Sequence, residues 1–98
     1  MDAISVIQTL RAHEPELKAA GIVHLRLFGS IARGQQSPNS DIDLMAEFDR
    51  SRRLTLLQMV GLENRLSDLL GVRVDLAPLH AMKETVRQRA LHDAIHAF

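Results

Sequence analysis

At 98 residues, 46% of them hydrophobic, the chain can bury one core, and residues 1–98 are expected to form a single domain with no separate acceptor-binding unit. Twelve Lys and Arg balance twelve Asp and Glu, and a neutral chain lacks the basic footprint of nucleic-acid or polybasic membrane binding, so neither is expected as a partner. There is no cysteine, which excludes disulfides and thiolate metal sites; the absence of a signal-like start or of an apolar run near the ~18 residues of a membrane span reads as a cytoplasmic protein.

Ile4, Ile7, Leu10 and Leu17 recur at helical spacing over residues 3–20, with Asp2 placed to cap the start and Gly21 to end it. Pro15 sits badly inside a helix and predicts a split into a helix and a short second turn. Residues 22–28 alternate as a strand, with Val23, Leu25 and Leu27 on one face and His24, Arg26 and Phe28 on the other. Residues 30–33 have the length of one helical turn, and Gly34–Ser40 is turn chemistry throughout. Asp41–Phe48 reads as a second strand.

Residues 54–70 form a long apolar-rich helix stopped by Gly71, with Met59, Leu62, Leu66, Leu69 and Leu70 as its main stripe. Leu56, Leu57 and Val60 widen that stripe beyond the needs of one core contact. Val72–Leu76 is a third strand closed by Pro78, and residues 82–97 a last helix with Met82, Val86, Leu91 and Ile95 inward. The expected architecture is α/β (α+β), a small mixed sheet with helices in the order α-β-α-β-α-β-α.

The chemistry concentrates in residues 27–44, LFGSIARGQQSPNSDIDL. Gly29 ends a strand, lets the backbone turn and lets a ligand approach closely. Ser30 then opens a short helical turn whose hydroxyl and free amides suit an anion, with the cation of Arg33 nearby. Asp41 and Asp43 sit at i and i+2 of a strand, so both carboxylates project from one face. Such like charges repel unless a cation lies between them, and hard ions such as Mg²⁺ prefer carboxylate and phosphate oxygens. Asp75 on the third strand joins them if the two strands are neighbours; otherwise it is a surface acid or a partner of Arg73. Three carboxylates and a triphosphate are what a two-metal phosphoryl site requires.

Gly29-Ser30, ten residues, then Asp41-x-Asp43 resembles the signature of the DNA polymerase β-like nucleotidyltransferases. The fuller string Gly-Ser-x-Ala-Arg-Gly…Ser-Asp-x-Asp-Leu is similar to the minimal nucleotidyltransferase (MNT) family, the antitoxin halves of HEPN/MNT toxin–antitoxin pairs. That resemblance implies a nucleotide site of Gly29, Ser30, Arg33 and Ser40, with Gly29 and Ser30 on the β- and γ-phosphates. It implies two Mg²⁺ ions on Asp41, Asp43 and Asp75, the last also helping to deprotonate the incoming hydroxyl. The implied reaction passes a nucleotidyl group, AMP if the substrate is ATP, to a tyrosine of a cognate HEPN toxin. The alternative is a non-catalytic antitoxin that neutralises a toxin by covering it, and a homodimer stays open. An aminoglycoside-type transferase would need an added domain or a dimer to build its pocket.

Other residues carry blander readings. His92 and His96, at i and i+4, mimic a zinc face but lack the Glu that it needs, so a solvated helix end is expected. His13, His24 and His80 are read as structural or surface histidines.

Overall fold

The computed structural model describes residues 2–34 and 41–98. Asp2 caps the first helix, its carboxylate accepting from Ser5 N at 2.8 Å. Helix α1, Ala3–Ala12, is followed directly by α2, Glu14–Ala19, with Pro15 in the first turn of α2. There its missing N–H costs nothing, so the proline starts a helix instead of breaking one.

Strand β1, Ile22–Phe28, pairs antiparallel with β2, Ile42–Phe48. Helix α3, Leu56–Leu70, then crosses over to β3, Val74–Pro78, which lies parallel to β2. Parallel neighbours need such a crossover, and α3 is long enough to supply it. Its ends are set locally: Thr55 and Gln58 form a reciprocal capping box, and Gly71 closes it at φ +69°. A 3₁₀ turn at Leu79–Ala81 leads to α4, Glu84–Asp93, and a two-residue strand β4, Ile95–His96. The sheet order is β3-β2-β1-β4.

One face of the sheet carries Leu25, Leu27, Ile42, Leu44 and Ala46, packed in one core with Val6 and Leu10 of α1, Leu17 of α2, and Leu62, Leu66 and Leu70 of α3. Burying each large side chain supplies about 1.5–3 kcal/mol, which makes this layer the main source of stability. The opposite face presents His24, Arg26 and Phe28 on β1 and Asp43, Met45 and Glu47 on β2, in the cross-strand pairs His24–Glu47, Arg26–Met45 and Phe28–Asp43. Met45 and Leu79 are also buried, where the 3₁₀ turn and α4 approach this second face.

The mixed sheet with helices is as predicted, and the element order differs at two places. Residues 30–33 form a hydrogen-bonded turn and not a helix: Arg33 N–H donates to Gly29 O at 3.3 Å and Gly34 N–H to Ile31 O at 3.1 Å. The last helix stops at Asp93, and Ile95–His96 pairs antiparallel with Leu27–Arg26 of β1. Val86, Leu91 and Ile95 are exposed rather than inward. The free edge of β1 recruits the chain end into the sheet, a gain that outweighs another helical turn. Strand β3 begins and ends two residues later than expected and includes Pro78. As an edge strand, β3 tolerates a residue that cannot donate. Of the α3 stripe, Leu62, Leu66 and Leu70 are buried and Met59 and Leu69 half-buried, while Leu56 and Leu57 stand 79% and 80% exposed. No helix among the described residues is long and apolar enough to cross a membrane.

Candidate nucleotide and metal site

The site residues gather where β1 ends and β2 and β3 begin. Phe28 pairs with Asp43, and Asp43 with Asp75, so the two acids occupy facing positions on neighbouring strands of the sheet. Helix α3 sets that register from outside. Ser67 Oγ accepts from Val74 N–H at 3.0 Å and Glu63 Oε2 from Leu76 N–H at 2.9 Å. These two bonds flank Asp75 and satisfy amides that the edge strand would otherwise expose. Neither Glu63 nor Ser67 stands out in the sequence; their only signal is the i, i+4 spacing on a helix that must cover β3.

Gly29 follows β1 at φ +80°, and a Cβ placed on it would lie 2.3 Å from Asp43 Oδ2. The glycine is therefore needed twice, for its backbone angle and for the room it leaves a carboxylate. Ser30 comes next and is half-buried, and Ile31, 3% exposed, anchors the turn in the core. Arg33 leans towards α4, with Nη1 4.0 Å from Asp93 Oδ2.

Asp41 precedes β2 on the exposed side, its Oδ2 3.9 Å from Arg73 Nε. The backbone reinforces the approach, since Ile42 N–H donates to Arg73 O at 2.9 Å. Arg73 thus pairs with Asp41, not with Asp75. Ser40, predicted beside the nucleotide, lies outside the described residues. Burial pushes the Asp43 carboxyl above its ordinary pKa, and the charges of Asp75 and Asp41 raise it further, against a smaller opposing effect of Arg33. Clustered carboxylates that resist ionisation are a donor set suited to a hard divalent cation. Among the described residues, however, no three acidic or histidine side chains already converge as a metal cage.

On the same face, away from the acids, Arg26 Nη1 stands 3.4 Å from Glu47 Oε1 and is buried without a hydrogen bond. The rings of His24 and His96 lie 5.5 Å apart. Burial and then the charges of Arg26, His24 and Arg11 press the His96 imidazole below its ordinary pKa, and Glu47 offsets part of this. His96 is thus a strand residue, not the helix-end histidine expected. Outward alternation of β1 pointed to His24 and Arg26; their partners required the register.

Comparison with known proteins decides the family. The profile of the nucleotidyltransferase domain family matches residues 10–96. The chain belongs to the nucleotidyltransferase family. This nucleotidyltransferase is 33% identical over 88 residues to the protein adenylyltransferase MntA of Thermococcus cleftensis, covering 89% of this chain and 87% of that one. A solved structure provisionally described as a minimal nucleotidyltransferase superposes with a TM-score of 0.73 at 37% identity, covering 97% of this chain and 95% of the other. The fold also matches, at a TM-score of 0.67 and 19% identity, a chain from a complex of a tri-AMPylated Shewanella oneidensis HEPN toxin with its MNT antitoxin. That match covers 94% of this chain and 71% of the other.

Proposed function

We propose that this nucleotidyltransferase is a protein adenylyltransferase that transfers AMP from ATP to a tyrosine hydroxyl of a HEPN-type toxin and so acts as its antitoxin. The observation that carries the reading is the pairing of Asp43 with Asp75 beside the glycine turn at Gly29. It agrees with the adenylyltransferase name of the Thermococcus relative and with the AMPylated toxin partner of the Shewanella protein.

In this reading Gly29 and Ser30 hold the β- and γ-phosphates, and Arg33 and Ser40 support the same nucleotide. Asp41, Asp43 and Asp75 would hold Mg²⁺, whose charge would neutralise the phosphates and the leaving group. The acceptor oxygen bonds to the α-phosphorus, the bond from that phosphorus to the bridging oxygen breaks, and pyrophosphate leaves with the electron pair. Asp75 takes the hydroxyl proton. Positioning and charge neutralisation carry most of such a reaction, so a small domain with ordered acids suffices.

The test is to incubate the protein with ATP labelled in the α-phosphate, Mg²⁺ and a HEPN-type protein encoded beside it, then locate the label by mass spectrometry. Label on a tyrosine of that protein, lost with Asp41→Asn/Asp43→Asn, supports the reading. A complex that forms and neutralises the toxin without any label would point to the binding-only alternative. Labelling of a free metabolite with no protein acceptor would overturn both.

A further inference from the structure

Two adjoining cavities open at the far end of β2 from the acids. One, of ≈ 300 Å³, lies between the sheet, the 3₁₀ turn and α4, and is lined by Glu47, Arg50, Arg87 and His80 over Val23 and Leu79. The other, of ≈ 250 Å³, continues past Phe48, Arg50 and His80 to Arg52, Arg53 and Met59 at the start of α3. They share Phe48, Arg50 and His80, and so form one groove.

Its charge is one-sided although the chain as a whole is neutral. Four arginines and a histidine face two acids, and both acids are engaged: Asp49 Oδ1 accepts from Ser51 N and Oγ, and Glu47 faces Arg26. Arg52 is held by Ala19 O at 2.7 Å, and Arg87 is paired with Glu84 of its own helix. Among the described residues, no ion pair or side-chain hydrogen bond joins Arg50, Arg53 or His80 to another group. The groove also runs into an apolar ridge. Leu56 lies one turn before Met59 on the same side of α3, and Leu56, Leu57 and Val60 are all exposed.

We infer that this groove docks an acidic, leucine-rich segment of a protein partner. Uncommitted guanidinium groups beside exposed leucines match alternating carboxylates and aliphatic side chains, and the complementary charge steers the encounter. A nucleic acid fits less well, since among the described residues Phe48 and the His80 imidazole are the rings along the groove, too few for a stacking platform, and apolar side chains occupy much of its wall. The inference rests on the reading that the acceptor is a protein, and adds how that protein is held. Phe48 is five residues beyond Asp43 on β2, roughly 16 Å along an extended strand. A segment anchored in the groove would leave the modified hydroxyl about five extended residues from the anchor.

The test uses a short fluorescein-labelled peptide of alternating Glu and Leu, read by fluorescence anisotropy on the full chain. The controls are the corresponding Lys and Leu peptide and an oligouridylate. The Glu and Leu peptide should bind, and Arg50→Glu/Arg53→Glu should weaken it roughly tenfold with an unchanged melting temperature. Leu56→Asn should also weaken it, whereas Arg89→Glu on the outer side of α4 should not. Failure of the Glu and Leu peptide to bind, equal binding of the Lys and Leu peptide, or tighter binding of the oligouridylate would overturn the proposal. Peptide binding does not depend on transfer, so a protein that binds the peptide but never labels a toxin would sink the proposed activity and leave the groove standing.

Discussion

The absent side chain of Gly29 is the space into which the Asp43 carboxylate folds, since a Cβ there would meet Oδ2 at 2.3 Å. Replacing the glycine therefore acts on the acid as much as on the turn. Gly29→Ala should cost about 1–3 kcal/mol from the positive φ alone. It should also displace the carboxylate, so that nucleotidyl transfer falls further than the loss of folded protein explains. Urea unfolding and a transfer assay at a temperature where the variant is fully folded separate the two effects; proportional losses would refute the carboxylate displacement.

Asp43 supplies a pH signature. Its carboxyl is raised by burial and by Asp75 and Asp41, so the folded protein binds its proton more tightly than the unfolded chain does. Ionisation thus destabilises the metal-free fold as pH rises from the ordinary aspartate range through the raised value. Asp43→Asn should melt higher than the wild type at neutral pH without metal, and the difference should vanish in acid. Asp2, Glu16 and Asp49, whose carboxyls are lowered by hydrogen bonds, contribute the opposite slope to both proteins and cancel in the difference. A melting temperature for Asp43→Asn below the wild type at neutral pH would contradict this.

Divalent ions should reverse that order. Mg²⁺ or Mn²⁺ at a hundred times its dissociation constant should stabilise the wild type by about 2.7 kcal/mol, with little effect on Asp41→Asn/Asp43→Asn. Thermal shift with and without chelator reads this apart from any activity. Equal shifts in both proteins would place the ion elsewhere.

The tie from α3 to the edge strand should matter to both fold and site. Glu63→Ala removes the acceptor of Leu76 N–H and should cost about 1 kcal/mol. Because that bond adjoins Asp75, the variant should need more Mg²⁺ for half-maximal stabilisation. Unchanged ion dependence would make Glu63 a purely structural brace.

Two ion pairs should differ in worth. Arg26 is 21% exposed beside Glu47, whereas Arg73 is 84% exposed beside Asp41. Glu47→Gln leaves a largely buried guanidinium without its counter-charge and should cost about 1–2 kcal/mol. Arg73→Gln should stay within about 0.5 kcal/mol. Chemical unfolding of the two variants decides it, and equal costs would remove the distinction.

Much of the fold is legible in the sequence where short-range rules act. Strand β1 runs over the predicted residues, Asp2 caps α1, Pro15 splits the helix and Gly71 ends α3. What escapes is set at long range. Nothing local in Ile95–His96 marks a strand; it becomes one because β1 has an open edge. The helical spacing of Val86 and Leu91 is real, but no core lies beneath it. In the site, strand alternation puts Asp43 and Asp75 on one face while Asp41 lies just before β2, and the pairing of Asp43 with Asp75 depends on the crossover register. The Gly29–Asp43 fit and the Arg26–Glu47 contact depend on the β1–β2 register in the same way.

The short strand β4 bears on how the chain is made. Leu25 exchanges hydrogen bonds with Ala97 and Phe98, and Arg11 Nε donates to Ala97 O at 2.7 Å. The central strand of an otherwise finished sheet therefore waits for residues that leave the ribosome some seventy codons after it. Until then the β1 edge stands open, in a nascent molecule whose first three strands can already pair. Synthesis beside a partner able to shield that edge would spare the nascent chain from sticking to its own copies, so the order of translation becomes part of the protein's solubility.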